Sequence, residues 1–155
     1  MSENNRISND ELLAQLFKER NLEHFLQKNE HVYLMPSFSD YLNMWCKKHL
    51  EVPGQVIRRA NIEKSYGHQL FSGRRNPSRD TVLQLAFAMN ADYGEAQEML
   101  MIARRSPLYP RIKRDTVIIY CLDNRISLAD TQIILHDLEL PLLGRKKSER
   151  TEADC

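Results

Sequence analysis

Apolar residues in this chain recur at the three- and four-residue spacing of an α-helix, and this periodicity constrains the fold more than any other feature. The clearest example places five side chains on one helix face: Phe38, Tyr41, Leu42, Trp45 and His49. The apolar run over residues 117–122 fits a strand as well as a helix, but no partner strand is recognisable elsewhere. Glycine is scarce, with 5 in 155 residues, which suits helices better than many short strands. The sequence therefore predicts an all-α fold.

Breaks in this pattern divide the chain into four segments. Residues 1–35 would form an N-terminal helical extension that opens with a capping box at Ser8. Residues 36–106 would form a domain of five helices joined by short turns. Residues 107–140 would form a C-terminal helical pair, and residues 141–155 a polar tail. The apolar faces of the N- and C-terminal helices would be buried either on the domain or in a homodimer contact.

Composition and terminal patterns indicate where such a chain works. No apolar run approaches the roughly 20 residues needed to span a bilayer, so we expect no membrane association. The first residues lack the basic start and apolar run of a secretory signal. The 3 cysteines are odd in number and far apart, which favours a reducing compartment over a disulfide framework. We therefore expect a cytoplasmic protein.

Patterns typical of enzymes are missing from the sequence. It has no Gly-x-Ser-x-Gly nucleophile elbow, no phosphate-binding glycine loop and no paired-carboxylate signature. Cys46 and His49 have a spacing compatible with two metal ligands on one helix. A closed zinc site needs four ligands, however, and a core cysteine beside a partly buried histidine explains the pair more simply. We therefore predict a protein that is not an enzyme and needs no cofactor or metal.

Basic residues cluster in two places although the formal net charge of the chain is only +1. Between residues 53 and 80, six Lys or Arg residues stand against two acidic ones, which gives this segment a charge of +4. Such a local field suits a DNA-contacting face, or equally a solvated charged surface. The second cluster surrounds Pro107 and Pro110 and could contact flanking phosphates, bind an acidic partner or form a solvated linker: Arg104, Arg105, Arg111, Lys113 and Arg114.

The first cluster contains a motif of known type. A short helix is followed by a tight turn at Asn61, a second helix over residues 64–72, and the sequence Ser-Gly-Arg-Arg-Asn-Pro-Ser over residues 72–78. This stretch resembles the helix-turn-helix of the XRE-like, lambda-repressor-like regulators of bacteria and phages. The resemblance extends over residues 36–106, and its distinctive part is residues 61–78. It implies a five-helix repressor-like domain whose second motif helix reads DNA.

The proposed recognition helix would bury Gly67, Leu70 and Phe71 and turn its other side outward. By resemblance and by their hydrogen-bonding chemistry, four outward residues would read base edges: Lys64, Ser65, His68 and Gln69. Five further residues would contact phosphates, of which the two arginines after the helix match the family's usual positions: Arg58, Ser72, Arg74, Arg75 and Arg79.

These features predict sequence-specific binding of double-stranded DNA, by a transcriptional regulator. The alternative is a protein-interaction adaptor on the same fold, binding a protein partner without specific DNA recognition. Gly67 stands where the family usually has an aliphatic anchor, so we expect Tyr66 or Phe71 to fill that space. Glu63 stands at the cap position of the same helix and would bring a negative charge near DNA. Both features favour the adaptor.

Overall fold

The computed structural model describes residues 7–144, and all regular structure in that range is helical. Residues 117–122 lie in a helix, so the all-α prediction is confirmed there too. None of the helices in the described range is long and apolar enough to cross a membrane. Residues 145–155, most of the predicted polar tail, lie outside the described residues. The chain divides into two compact units, Met1–Met35 and Pro36–Cys155, which we describe one at a time.

The first unit contains helices α1 (Asn9–Lys18) and α2 (Leu22–Lys28), followed by a 3-10 helix at Glu30–Tyr33. The predicted capping box opens α1. The Ser8 hydroxyl accepts from the Glu11 amide at 3.2 Å, and the Glu11 carboxylate accepts from the Ser8 amide at 3.2 Å.

Burial within this unit is centred on α2. Phe25 is buried, and its carbonyl accepts a hydrogen bond of 3.0 Å from the side-chain amide of the buried Asn29. Helix α1 has no buried residue, and Leu13, Leu16 and Phe17 are exposed within the described structure. The amphipathic pattern of α1 is therefore real, but its apolar face is not covered.

The second unit contains the remaining described helices: α3 (Phe38–Lys48), α4 (Pro53–Arg59), α5 (Lys64–Phe71), α6 (Arg79–Ala88), α7 (Tyr93–Ile102), α8 (Lys113–Asp123) and α9 (Leu128–Asp137). Side-chain caps start several of them; the Ser78 hydroxyl, for example, accepts from the Thr81 amide at 3.2 Å to begin α6. Each helix is followed by a residue with positive φ, which reverses the chain within one or two residues: Leu50, Asn61, Gly73, Asn90, Arg104, Arg125 and Glu139.

The core of this unit is organised around α6, whose residues from Thr81 to Ala86 are all buried. Helix α6 packs against α4, α7 and α9, and α8 packs against α7 and α9. Ile118, Leu122 and Leu135 from the two C-terminal helices are fully or almost fully buried in the same core. Helices α8 and α9 are therefore part of one compact unit with α3–α7, and their apolar faces are buried within it.

Two ion pairs connect the first turn of α6 to the first turn of α8. Arg79 Nη2 lies 2.8 Å from Asp115 Oδ2, and Arg114 Nη1 lies 3.0 Å from Asp80 Oδ1. In both pairs the second guanidinium nitrogen bonds the second carboxylate oxygen, the bidentate geometry that suits arginine. Asp115 is almost completely buried. The two neighbouring pairs therefore cross-link α6 and α8.

The polar tail that the sequence predicts for residues 141–155 starts too early in the chain, because residues 141–144 are packed. The side-chain amide of Gln132 makes a reciprocal pair of 2.8 Å hydrogen bonds with the backbone of the buried Leu143. The guanidinium of Arg114 donates to the carbonyls of Pro141 and Leu142. Residues 141–144 are thus packed against the unit. The polar composition that predicts a tail belongs to the residues after 144. It says nothing about the contacts that residues 141–144 make.

Thr131 on α9 provides a test of this packing. Its side chain is completely buried, and within the described structure its hydroxyl has no hydrogen-bond partner. A buried unsatisfied hydroxyl costs about 1–3 kcal/mol, so Thr131→Val should raise the free energy of unfolding by about 1 kcal/mol. The matched control is Thr81→Val, because the buried Thr81 hydroxyl bonds the Ser78 hydroxyl at 2.8 Å. Urea denaturation should show the control destabilised; an unchanged or lowered midpoint for Thr131→Val would contradict the prediction.

Candidate nucleic-acid interface

Helices α4 and α5 are joined by a short, well-bonded turn. Asn61 has φ of 55° and donates its amide to the carbonyl of Arg58 at 3.0 Å. The amide of Ile62 donates to the carbonyl of Ile57 at 3.2 Å. Asparagine tolerates the left-handed conformation better than most residues, as the sequence predicted for this position. The turn therefore fixes the angle at which α5 leaves α4.

The close contact between these helices depends on Gly67. The glycine is buried, and a Cβ atom added to it would lie 2.5 Å from Cγ2, 2.7 Å from Cγ1 and 2.9 Å from Cδ1 of Ile57. Ile57 on α4 thus fills the space that we expected Tyr66 or Phe71 to fill; that expectation is wrong. Gly67 is required by helix packing, and its presence is no longer an argument against DNA binding.

Glu63 caps α5 in the way the sequence predicted. Its carboxylate accepts from the amide of Tyr66 at 2.7 Å and from that of Ser65 at 2.9 Å. These two hydrogen bonds lower the pKa of the Glu63 carboxyl, with the Tyr66 amide contributing more. The carboxylate therefore remains charged in mild acid. Its capping contribution is lost only as the pH falls through the lowered pKa.

The two sides of α5 differ as predicted. Gly67, Leu70 and Phe71 are buried. On the other side, every residue predicted to read bases is at least partly accessible: Lys64, Ser65 and His68 are exposed, and Gln69 is half-buried. None of these four side chains bonds another residue within the range 7–144. The helix thus presents one continuous polar surface of hydrogen-bonding groups.

The turn after α5 adds positive charge to this surface. Gly73 has φ of 80°, and the amides of Arg74 and Arg75 both donate to the carbonyl of Gln69, at 3.0 and 3.3 Å. The Ser72 hydroxyl donates to the same carbonyl at 3.2 Å. Both arginine side chains are exposed, and neither is paired within the part of the chain that the structure describes.

The arginines of α4 and α6 differ from one another. Arg58 is exposed and without a partner among the described residues. Arg59, its neighbour, pairs with Glu51 and donates to the carbonyl of Ala88 at 3.1 Å. All three nitrogens of the Arg79 guanidinium are engaged within the protein.

Arg79 therefore does not have the accessibility that its predicted phosphate contact requires. Its Nε donates to the carbonyl of Ser106 at 3.0 Å, and Nη2 donates to that of Pro107 at 2.9 Å. Asp115 accepts from Nη1 at 3.1 Å and from Nη2 at 2.8 Å as an ion pair. Because Asp115 is 36 residues away, no local pattern around Arg79 could have indicated this partner.

Sequence reasoning also missed Asn43. Its side-chain amide on α3 donates to the carbonyl of Phe71 at 2.8 Å and to that of Ser39 at 2.8 Å. The bond to Phe71 satisfies a free carbonyl at the end of α5 and holds that end against α3. An asparagine inside a helix gives no local sign of such a contact across 28 residues.

Cys46 is buried as predicted, whereas His49, which we expected to be partly buried, is exposed. Burial raises the pKa of the buried Cys46 thiol, and the nearby Glu51 carboxylate raises it further. The His49 ring stacks on Trp45, with ring centroids 4.2 Å apart, and its Nδ1 lies 2.9 Å from the Trp45 carbonyl oxygen. Within residues 7–144, no three His, Cys, Asp or Glu side chains are grouped to hold a metal ion.

Comparison of the chain with protein-family models, curated proteins and solved structures finds no match in any of the three. The class that the structure itself defines is an all-helical protein with a polar, basic surface on α5 and on the turn that follows it.

Proposed function

We propose that helices α3–α7 form a repressor-like helix-turn-helix domain and that the protein binds double-stranded DNA in a sequence-specific way as a transcriptional regulator. The observation that carries this proposal is the accessible surface of α5 and the turn after it. There, unpaired basic and hydrogen-bonding side chains are held on a helix whose other side is buried. The major groove of DNA admits one α-helix in this manner.

In this mechanism α5 enters the major groove and its outward side chains bond base edges. Lys64 has donors for the guanine O6 and N7 acceptors, and Gln69 can both donate to and accept from adenine. Ser65 and His68, which lie between Lys64 and Gln69 in the sequence, have shorter side chains that can also form hydrogen bonds. Because α5 is fixed at both ends, by Glu63 and by Asn43, it is presented to the groove without further ordering.

Phosphate contacts come from Arg58, Arg74 and Arg75 at the edges of this surface. Such contacts set register and supply affinity without reading sequence. We omit Arg79 because its guanidinium is engaged with Asp115, and Ser72 because its hydroxyl already donates to the carbonyl of Gln69. If the protein acts as a homodimer, two half-sites about 34 Å apart would be required.

Glu63 favours a second candidate function, a protein-interaction adaptor on the same surface. Its carboxylate stays charged at the N-terminus of α5, where it would repel DNA phosphates, although water screens a repulsion between exposed charges. Four exposed cations on the same surface outweigh this single negative charge: Arg58, Lys64, Arg74 and Arg75. We therefore place DNA binding first.

The test is fluorescence anisotropy with labelled random-sequence duplex DNA at about 50 and 200 mM salt. About three phosphates neutralised by Arg58, Arg74 and Arg75 should weaken wild-type binding roughly 40-fold between these concentrations. Arg74→Ala/Arg75→Ala should bind about tenfold more weakly at low salt, with a salt slope shallower by about two. The matched control is Arg20→Ala/Lys28→Ala, which removes two exposed cations from the first unit and should bind like wild type.

Specificity requires a second step. Sites selected by the wild-type protein from a random pool should lose their preference at one or two positions in Lys64→Ala and in Gln69→Ala, by about 1–3 kcal/mol at each affected base pair. Absence of binding at low salt would overturn the proposal and favour the adaptor. Binding without selected sites would overturn the sequence-specific part of it.

A further inference from the structure

The connection between α7 and α8 carries a concentrated positive charge. Residues 103–114 contain five basic residues and no acidic one. Arg114 is compensated by Asp80, and the Asp115 that follows is compensated by Arg79. The four remaining basic residues are all exposed and have no acidic partner within the described chain: Arg104, Arg105, Arg111 and Lys113. We call these four residues the α7–α8 basic segment.

Hydrogen bonds fix this segment beside the turn that follows α5. Arg105 Nε donates to the carbonyl of Pro77 at 2.8 Å. In the opposite direction, Arg79 donates to the carbonyls of Ser106 and Pro107 at 3.0 and 2.9 Å. Since consecutive Cα atoms are about 3.8 Å apart, the Cα of Arg75 lies within roughly 8 Å of that of Pro77. Two basic regions separated by 28 residues in sequence are therefore neighbours in space.

Further hydrogen bonds hold the backbone of the α7–α8 connection against the unit. The Gln97 side chain makes two hydrogen bonds to the backbone of Leu108, at 2.7 and 3.0 Å. The Tyr109 amide donates to Asp115, and the Thr116 hydroxyl donates to the carbonyl of Pro110 at 2.7 Å. A connection held at this many points offers its charges without a large ordering cost on binding. In Arg105, the bond from Nε leaves the terminal guanidinium nitrogens available to an outside acceptor.

We infer that the α7–α8 basic segment is a second phosphate-binding site, which contacts the DNA backbone next to the phosphates bound by Arg74 and Arg75. This inference rests on the proposed function, because it extends the footprint of α5 along the same duplex. Successive phosphates of one strand advance about 3.4 Å along the axis, and the Arg105 guanidinium is held at Pro77, two residues beyond Arg75, so the segment would serve phosphates further along the same duplex. The segment adds affinity and orientation but reads no bases.

The experiment compares two triple variants with wild type in the anisotropy assay, again with random-sequence duplex. Arg104→Gln/Arg111→Gln/Lys113→Gln removes three charges of the segment and leaves Arg105, whose bond to Pro77 is structural. Lys18→Gln/Arg20→Gln/Lys28→Gln removes three exposed charges from the first unit as the matched control. The first variant should bind at least tenfold more weakly at about 50 mM salt, with a salt slope shallower by up to about three. Thermal unfolding followed by Trp45 fluorescence should be the same for all three proteins.

The outcomes separate this inference from the proposed function. If the segment variant keeps wild-type affinity and salt slope while Arg74→Ala/Arg75→Ala is weakened, the inference is overturned and DNA binding through α5 stands. An equal loss in the control variant would mean that net charge alone matters, which also overturns the inference. Failure of the wild-type protein to bind duplex DNA overturns both, and binding to an acidic peptide would then be the next measurement.

Discussion

Asp115→Ala is expected to lower the free energy of unfolding of the second unit by roughly 3 kcal/mol. The carboxylate is almost completely buried, pairs with Arg79 and accepts a hydrogen bond of 3.0 Å from the Tyr109 amide. Removing one partner of a buried pair costs about 3–5 kcal/mol because the other charge is left uncompensated. The lower end of this range applies here, because the Arg79 side chain is 24% exposed and water can partly solvate its charge.

Urea denaturation followed by Trp45 fluorescence measures this change, because Trp45 is the single tryptophan and lies in the second unit. Asp137→Ala is the control: its carboxylate is 71% exposed, and its removal should change stability by less than about 0.5 kcal/mol. In a double-mutant cycle, Arg79→Ala should cost much less when Asp115 is already alanine. Equal costs in both backgrounds would show that the ion pair does not hold α8 to α6.

Gly67→Val is expected to destabilise the second unit by about 3 kcal/mol. Even the first added carbon would lie closer than 3 Å to three Ile57 side-chain atoms. Ile57 is β-branched and buried, so it has little freedom to move away. Overpacking of a well-packed core costs about 1–3 kcal/mol, and the two further methyl groups of valine place this substitution at the upper end.

The control and the partner residue make this prediction specific. Gly54→Val on α4 should be close to neutral, because a Cβ at Gly54 would have no neighbour within 4 Å. In the Ile57→Ala background, which removes all three clashing atoms, Gly67→Val should cost less than about 1 kcal/mol. If its cost is the same in both backgrounds, the close approach of α4 and α5 is not what requires glycine.

Much of the fold could be predicted because its signals are local. Helix starts follow from a hydroxyl or carboxylate that accepts the amide three residues later, as Ser8 and Ser78 do here. Helix faces follow from apolar spacing, and the absence of a partner strand correctly predicts that α8 is a helix. Helix ends are harder to predict than helix starts. Leu50, Arg104, Arg125 and Glu139 adopt the left-handed conformation without being glycine or asparagine, so their residue types gave no sign of it.

The candidate surface was predictable in orientation but not in detail. Helical periodicity alone separates the buried Leu70 and Phe71 from the exposed Lys64 and His68. Which arginines remain available depends on partners distant in sequence. Nothing in the sequence distinguishes Arg79 from Arg74, yet only Arg79 forms an ion pair with Asp115. The role of Gly67 likewise depends on a side chain of another helix.

The crossed ion pairs between α6 and α8 have a consequence for how this protein can be shortened or recombined. A chain cut before residue 107 would lose Asp115 and Arg114 together, and would leave Arg79 and Asp80 uncompensated at the start of α6. It would also expose the core face covered by Ile118, Leu122 and Leu135. We therefore expect helices α3–α7 not to fold stably without α8 and α9. A piece intended for transfer to another protein should run from α3 through at least α9.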